Sequence, residues 1–498
     1  MTPTRTSRGR FGSSSERDFG SGPEARPHES EETMISNRQK AGLTRRAMLR
    51  SAAAAAMFGP LFKATEGSVS AQEKVNRNSA PSGLKITDMR ACRVAANYDY
   101  PLIKIYTNQD VYGLGEVRDA GVEGIALVLK AHLLGKNPLD IEGNLATVRP
   151  FAGQGRMGGG YSAVDMALHD IAGKVYGVPA YRLIGEKRHD RIRIYADTTA
   201  HKDVKVYAER MRKRKEMGLT FFKMDLETDL VSGRPNAVND RGVATDKGLE
   251  YLCEFIAAIR DVIGWSVPLA ADHFGPLNVQ DSIRYARAFE RYQLAWAEDI
   301  LQAQEGHQFF WQNWREYKEI TESTTTPINT GEDIFGLEEG FRPLIDNHAV
   351  AVIHPDIETS GGLLETKRIA DYAELAGIQV AMHHAGSPIG GFAGYHCAAT
   401  FGNNFLAMEN HALDMPWWQD LVTGVPKPII DKGYVTVPEK PGLGLELNDT
   451  VIKEHLRRPG YFEPTPMFDD PIVSGFRTGG PWPHFDETGK WCNCVTYE

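Results

Sequence analysis

Residues 268–333 hold three short apolar runs, PLAADH (268–273), LAWAED (294–299) and PINTGED (327–333), and each runs into carboxylates, first reached at Asp272, Glu298 and Glu332. Runs this short, bounded by Gly, Pro or polar residues, read as buried strands rather than helices. Working outward, five more runs share the form: IRIYAD (192–197), TFFKMDL (220–226), AVAVIHPD (349–356), QVAMHH (379–384) and NFLAMEN (404–410). Helix-period segments separate them. Eight strands alternating with helices over roughly 230 residues describe an α/β fold, a closed (β/α)8 barrel of the TIM type. In such a barrel the chemistry sits at the C-terminal ends of the strands, where seven of these eight runs carry a polar group.

One acid at a strand end is ordinarily the cap of the next helix. Three acids on successive strands, brought to one barrel mouth, repel strongly in a partly dry site. A divalent cation removes that cost. Oxygen ligands without Cys or His select a hard ion, Mg2+ ahead of Mn2+ or Ca2+. The sequence therefore predicts a Mg2+ site at Asp272, Glu298 and Glu332.

Upstream of the barrel, LKITDMRACRVAA (84–96) and LIKIYTNQDVYGLGEV (102–117) read as strands, the second broken by a turn at Asn108–Asp110. In GGGYSAVDMALHDIAGKVYGVPAYRLIG (158–185), Val164, Leu168, Ile171 and Val175 recur at helical spacing, and Gly177 and Pro179 end the helix. Downstream, PIIDKGYVTVPEKPGLGLEL (428–447) is rich in turn residues. The expected organisation is a leader (1–71), a linker (72–83), an N-terminal α+β capping domain (84–190), the barrel (191–424) and a C-terminal segment (425–498) that packs back on the capping domain.

The 158–185 segment, with its pattern S-A-x-D-x-A-L-x-D-x-x-G-K followed by G-x-P-x-x-x-L-x-G, resembles the enolase superfamily. The likeness is to its mandelate racemase/muconate lactonizing enzyme family, in the sugar-acid dehydratase-like branch. The resemblance implies that Asp272, Glu298 and Glu332 hold one Mg2+. That ion would bind a substrate carboxylate and stabilise the enediolate formed when the α-proton leaves. It implies catalytic roles for Lys223 on the second strand, for an Asp356–His383 dyad on the sixth and seventh, and for Glu409 on the eighth as an acid that hydrogen-bonds the substrate carboxylate. In an Asp–His pair the carboxylate orients the imidazole and raises its basicity. Where racemase-like members read Lys-x-Lys, this chain reads KMD, so Asp225 replaces a second base. Some dehydratases carry Asp-x-His on the third strand with that His as the acid. Here His273 follows Asp272 directly, and strand alternation turns it away from the site unless the strand end bends. Neighbours on a strand point to opposite faces, so only one of His383 and His384 faces the mouth, and the alignment favours His383.

With 498 residues the chain can bury a large core, and its net charge of -9 leaves no basic footprint for nucleic acid. Five cysteines are too few and scattered for a disulfide framework, and CNC (492–494) reads as two thiols on a tail. Residues before Met34 have a disordered composition. Paired Arg45 and Arg46 before an Ala-rich stretch, with a VSA site ending at Ala71, resemble a twin-arginine export signal, with Met34 as the expected start. Export to the periplasm or outside, with no membrane association after cleavage, is the expected location. The family resemblance adds the expectation of a homo-oligomer.

The leading expectation is a lyase acting on a small-molecule sugar acid, an aldonate or aldarate dehydratase. His383 removes the proton α to the carboxylate, the β-hydroxyl leaves, and a 2-keto-3-deoxy acid results. A racemase or epimerase needs a base on each face of the α-carbon, which the missing second Lys disfavours. Cycloisomerisation shares the first half-reaction. A non-catalytic exported binding protein would need neither the acids nor the dyad. Specificity is expected from capping-domain loops near Tyr98 and Arg118.

Overall fold

The computed structural model describes residues 83–301 and 313–470. The leader with its export signal, nearly all of the linker and the CNC tail lie outside the described residues, which belong to one unit, Gln72–Glu498. No helix among the described residues is long and apolar enough to cross a membrane.

Strands β1 (Ile86–Val94), β2 (Tyr100–Thr107) and β3 (Tyr112–Glu116) form an antiparallel sheet in that order, with Asp110 taking positive φ in the tight β2–β3 turn. β3 reads YGLGE because helix α1 (Gly159–Tyr176) presses on its backbone. A Cβ at Gly113 or Gly115 would lie 2.0 Å from Ala167 O or Ala163 O. α1 is buried on nearly every side, and its two acids are joints. Asp170 accepts from Leu114 N of β3 (3.0 Å) and from Leu443 N of the C-terminal segment (2.9 Å), while Asp165 accepts from Leu363 N of the barrel. The helical pattern that carries the family resemblance thus holds three parts of the chain together.

Eight parallel strands follow: β4 (Arg191–Ala196), β5 (Phe222–Asp225), β6 (Leu269–Asp272), β7 (Trp296–Glu298), β8 (Ile328–Thr330), β9 (Val352–Ile353), β10 (Gln379–Met382) and β11 (Phe405–Asn410). Each pairs with the next, and β11 pairs with β4, which closes the barrel. The surrounding helices are α2 (Val204–Glu216), α3 (Asp246–Ile263), α4 (Val279–Phe289), α5 (Trp314–Glu322), α6 (Arg342–Asp346), α7 (Gly362–Ala376) and α8 (Pro388–Ala398). α3 shows why such segments are helical: Thr245 caps its start by accepting from Gly248 N, one stripe (Leu249, Leu252, Ile256, Ile259, Ile263) is buried, and Gly264 ends it. The C-terminal segment does more than cover the cap. Its strand β12 (Tyr434–Thr436) adds antiparallel to β4, and its later part bonds the cap through Ala95 N to His455 O (2.7 Å) and Arg457 N to Arg93 O (2.8 Å).

Side-chain alternation builds the site from the barrel interior. Tyr195, Phe221, Ala270, Trp296, Val352, Ala381 and Ala407 pack together as an apolar layer. Two residues further along the same strands stand Asp197, Lys223, Asp272, Glu298, His354, His383 and Glu409. The apolar layer fills the barrel, and the polar layer above it opens at the mouth. The cap docks over this mouth through Glu116, fully buried at the end of β3. Its carboxylate accepts from Ser387 N (2.8 Å), Ser387 Oγ and Gly390 N (2.9 Å) at the start of α8. An anion is favoured at a helix N-terminus. Burial nevertheless pushes the Glu116 carboxyl up to about 7.

Candidate active site

Lys223 Nζ is the hub of the polar layer. It lies 3.0 Å from Asp272 Oδ2, 2.8 Å from Glu298 Oε1 and 2.7 Å from Glu409 Oε1, and all four groups are buried. Burial alone would depress the ammonium, but these three carboxylates hold it well above the ordinary lysine value. Trp296 Nε1 donates to Glu298 Oε2 at 2.7 Å and orients that carboxylate. Glu332 follows Gly331, which takes positive φ, and its carboxylate lies 3.3 Å from Arg118 Nη2 and 3.3 Å from His383 Nε2. The structure therefore joins Asp272 and Glu298 on one cation and turns Glu332 toward Arg118. Among the described residues, the ligand atoms of Asp272, Glu298 and Glu332 are not one of the groups that converge within 4.8 Å.

The donor chemistry fits a hard divalent ion. Burial, reinforced by the Asp272 charge, pushes the Glu298 carboxyl well above its ordinary value. Asp299, the next residue, is raised by burial and by Glu332 and Asp272. Burial would raise Asp272 too, but Lys223 and His273 hold its carboxyl well below the usual range, so Glu298 and Asp299 are the carboxyls held against their ionised form, and an added cation relieves them. Oxygen donors from Asp272, Glu298 and Glu332 are of the type Mg2+ takes.

The dyad is formed. His383 Nδ1 lies 2.5 Å from Asp356 Oδ2, and His383 Nε2 faces Glu332 Oε2 (3.3 Å) and Glu409 Oε2 (3.9 Å). Burial, with Arg118 nearby, keeps the His383 imidazole well below its ordinary value, so the ring is neutral. His384 is turned away. Its Nε2 meets Ser387 O at 3.2 Å, its Nδ1 lies 3.5 Å from Glu358 Oε1, and burial lowers it to about 4. Glu409 is braced by Lys223, by Tyr195 OH (3.1 Å) and by His411 Nε2 (3.1 Å). Burial would raise its carboxyl, but Lys223 and His411 hold it well below the usual range.

His273 departs from strand alternation. Its φ of 57° turns the chain left-handed directly after Asp272, so the strand ends there and the ring swings into the mouth. Its Nε2 lies 3.6 Å from Asp272 Oδ2 and 3.9 Å from Asp225 Oδ1, and the side chain is half-exposed. A continuing strand would turn it away from the site; the bend at the strand end turns it in. Asp225 does not join the Lys223 hub. It is raised well above its ordinary value by burial and by Asp197, and its Oδ1 has no hydrogen-bond partner.

Two residues escaped the sequence reading. His354 Nε2 bonds Tyr195 OH at 2.6 Å, and the ring lies 3.4 Å from Glu298 and 3.5 Å from Glu409, so the two form the site's floor. Both were accessible by parity: His354 is two residues before Asp356, and Tyr195 two before Asp197. Arg118, on a cap loop expected to set specificity, reaches into the mouth as far as the dyad. Its Nη1 lies 3.2 Å from Asp356 Oδ2 and 3.2 Å from His383 Nδ1, and contacts Asp119. Its Nη2 lies 3.3 Å from Glu332 Oε1 and 3.4 Å from Asp333 Oδ1.

Residues 206–451 match the enolase C-terminal domain-like family, and residues 74–185 match the mandelate racemase/muconate lactonizing enzyme N-terminal domain. A D-xylonate dehydratase of Haloferax volcanii is 34% identical over 381 residues, covering 75% of this chain and 89% of the relative. A mandelate racemase/muconate lactonizing enzyme-like protein of Rubrobacter xylanophilus, known from its crystal structure, superposes with a TM-score of 0.69 at 33% identity, covering 77% of this chain and all of the other. An enolase of Pantoea ananatis, solved with bound D-gluconate and Mg, superposes with a TM-score of 0.64 at 27% identity, covering 76% of this chain and 96% of the other. Barrel, cap and both domain matches agree: the chain belongs to the mandelate racemase/muconate lactonizing enzyme family of the enolase superfamily.

Proposed function

We propose that this protein is a Mg2+-dependent hydro-lyase that removes water from a sugar acid, an aldonate or aldarate, to give a 2-keto-3-deoxy acid. The observation that carries this reading is the Asp356–His383 dyad, whose Nε2 opens onto the carboxylate-lined mouth 3.3 Å from Glu332. The dehydratase names of the relatives support the same substrate class. Asp272, Glu298 and Glu332 would hold Mg2+, which when bound supplies Lewis-acid stabilisation of charge developing on the substrate carboxylate.

The chain's own residues do the rest. Neutral His383 takes the α-proton at Nε2, and Asp356 stabilises the imidazolium through Nδ1–H. Glu409 is fixed by three partners at the floor beside the metal acids, where it contacts the substrate carboxylate. Lys223 serves as a permanent ammonium that balances Asp272, Glu298 and Glu409. His273 stands at the open edge of the mouth, one side chain from Asp272, and donates a proton to the departing β-hydroxyl. The enol left behind tautomerises to the keto acid. Asp225 stands in the second-lysine position and is buried beside Asp197, which leaves one base and favours elimination over epimerisation.

Incubation of the Mg2+-loaded protein with aldonic and aldaric acids in D2O tests the first half-reaction. Deuterium appears at the α-carbon of unreacted substrate, or in product, for at least one acid. A protein that incorporates none from a broad panel is not this enzyme.

A further inference from the structure

Arg118 belongs to the cap, yet its guanidinium is 2% exposed and lies inside the barrel mouth. Its Nη1 approaches Asp356 Oδ2 to 3.2 Å, and that same oxygen lies 2.5 Å from His383 Nδ1. Nη1 also lies 3.2 Å from Nδ1 itself. A guanidinium has donors only, so this triangle has two solutions. In one, Nδ1 carries the proton and donates to Asp356, which accepts Nη1–H as well, and Nε2 keeps its lone pair toward the mouth. In the other, Nη1 donates to Nδ1, so Nε2 carries the proton and the ring is no base.

The shorter Nδ1–Oδ2 separation selects the first solution, provided Asp356 is a carboxylate. Asp356 is wholly buried, and burial pushes its carboxyl up to about 7, with Arg118 the largest influence in the opposite direction. A backbone bond from Glu358 N to Asp356 Oδ1 (2.6 Å) assists but carries no full charge. The remaining guanidinium contacts, to Asp119, Glu332 and Asp333, hold Arg118 over the dyad and away from bulk water.

We infer that Arg118 is a positioning residue that fixes the tautomer of the base: it keeps Asp356 Oδ2 an acceptor for His383 Nδ1–H, so that Nε2 is free to take a proton. The dyad is therefore completed across the domain boundary, by a residue 238 positions upstream of Asp356. The inference rests on His383 being the base.

The test has a spectroscopic arm and a kinetic arm. A hydrogen-bonded Nδ1–H gives a far-downfield proton resonance, assigned to His383 by its loss in His383→Gln. The wild type shows it, and it shifts or vanishes in Arg118→Met and in Arg118→Lys, the second variant keeping charge in case the first fails to fold. In the kinetic arm, Arg118→Met slows α-proton exchange by about 100-fold or more, within the span of a positioned base. Added to Asp356→Asn, it costs little further, because both act through one hydrogen bond. A wild type without a His383-dependent resonance, a resonance unchanged in both variants, or losses that multiply in the double variant each overturn the inference. The last would make Arg118 a direct substrate ligand. If the wild type exchanges no sugar acid, the functional reading fails while the resonance still decides the tautomer.

Discussion

Replacing each of the adjacent histidines separately is the sharpest perturbation of the site. His383→Asn removes the ring whose Nδ1 lies 2.5 Å from Asp356 and whose Nε2 opens on the mouth. A positioned general base contributes about 10²–10⁴-fold, which at 1.36 kcal/mol per tenfold is about 3–5 kcal/mol of barrier. Exchange of the α-proton falls by that factor. His384→Asn removes a ring whose Nε2 meets Ser387 O (3.2 Å) and whose Nδ1 lies near Glu358, on the side away from the mouth. Ser387 O keeps its bond from Gly391 N (2.9 Å), so the cost is that of one net hydrogen bond, about 0.5–1.5 kcal/mol of stability, with little effect on exchange. Deuterium uptake at the α-carbon, followed by NMR, measures the first quantity, and urea unfolding measures the second. Loss of exchange in His384→Asn, with His383→Asn still active, would refute the assignment and shift the site by one residue.

Three further outcomes follow from the same geometry. Lys223→Met strips the counter-ion from three buried carboxylates and destabilises the metal-free protein by about 3–5 kcal/mol. In urea titrations with EDTA a loss below about 1 kcal/mol would contradict the hub, and Mg2+ should restore more stability to the variant than it adds to the wild type. His273→Gln should continue to exchange the α-proton while keto acid formation drops, and keto acid formed at the wild-type rate would remove His273 from the mechanism. Glu116 titrates near 7 in the fold, raised by burial, against about 4.3 when unfolded. The folded state binds its proton more tightly, so this group's contribution to stability falls as pH rises through that window. The stability of wild type minus Glu116→Gln should decline from about pH 4.3 to about pH 7, and a flat difference would contradict the assignment.

The barrel was legible because its signal is local and repeated. Each strand is a short apolar run, and seven of the eight carry a polar residue two positions beyond a core residue, as in Ala270 and Asp272 or Ala407 and Glu409. The same parity that let only one of His383 and His384 face the mouth would have found His354 and Tyr195. The direction of His273 hung on the course of the strand, because alternation holds only while the strand continues, and a left-handed residue ends it at Asp272. Glu332 and Arg118 were harder. The direction of Glu332 depends on a guanidinium from another domain, and contacts between residues more than two hundred positions apart leave no trace in local spacing.

Formation of keto acid from D-xylonate, D-gluconate, D-galactonate and related sugar acids, with Mg2+ and then with EDTA, decides whether the protein is a Mg2+-dependent sugar-acid dehydratase. A 2-keto-3-deoxy acid is expected from at least one of them, abolished by EDTA and restored by Mg2+. A folded, Mg2+-loaded protein that releases no keto acid from any sugar acid, or one that turns over equally well in EDTA, would contradict it.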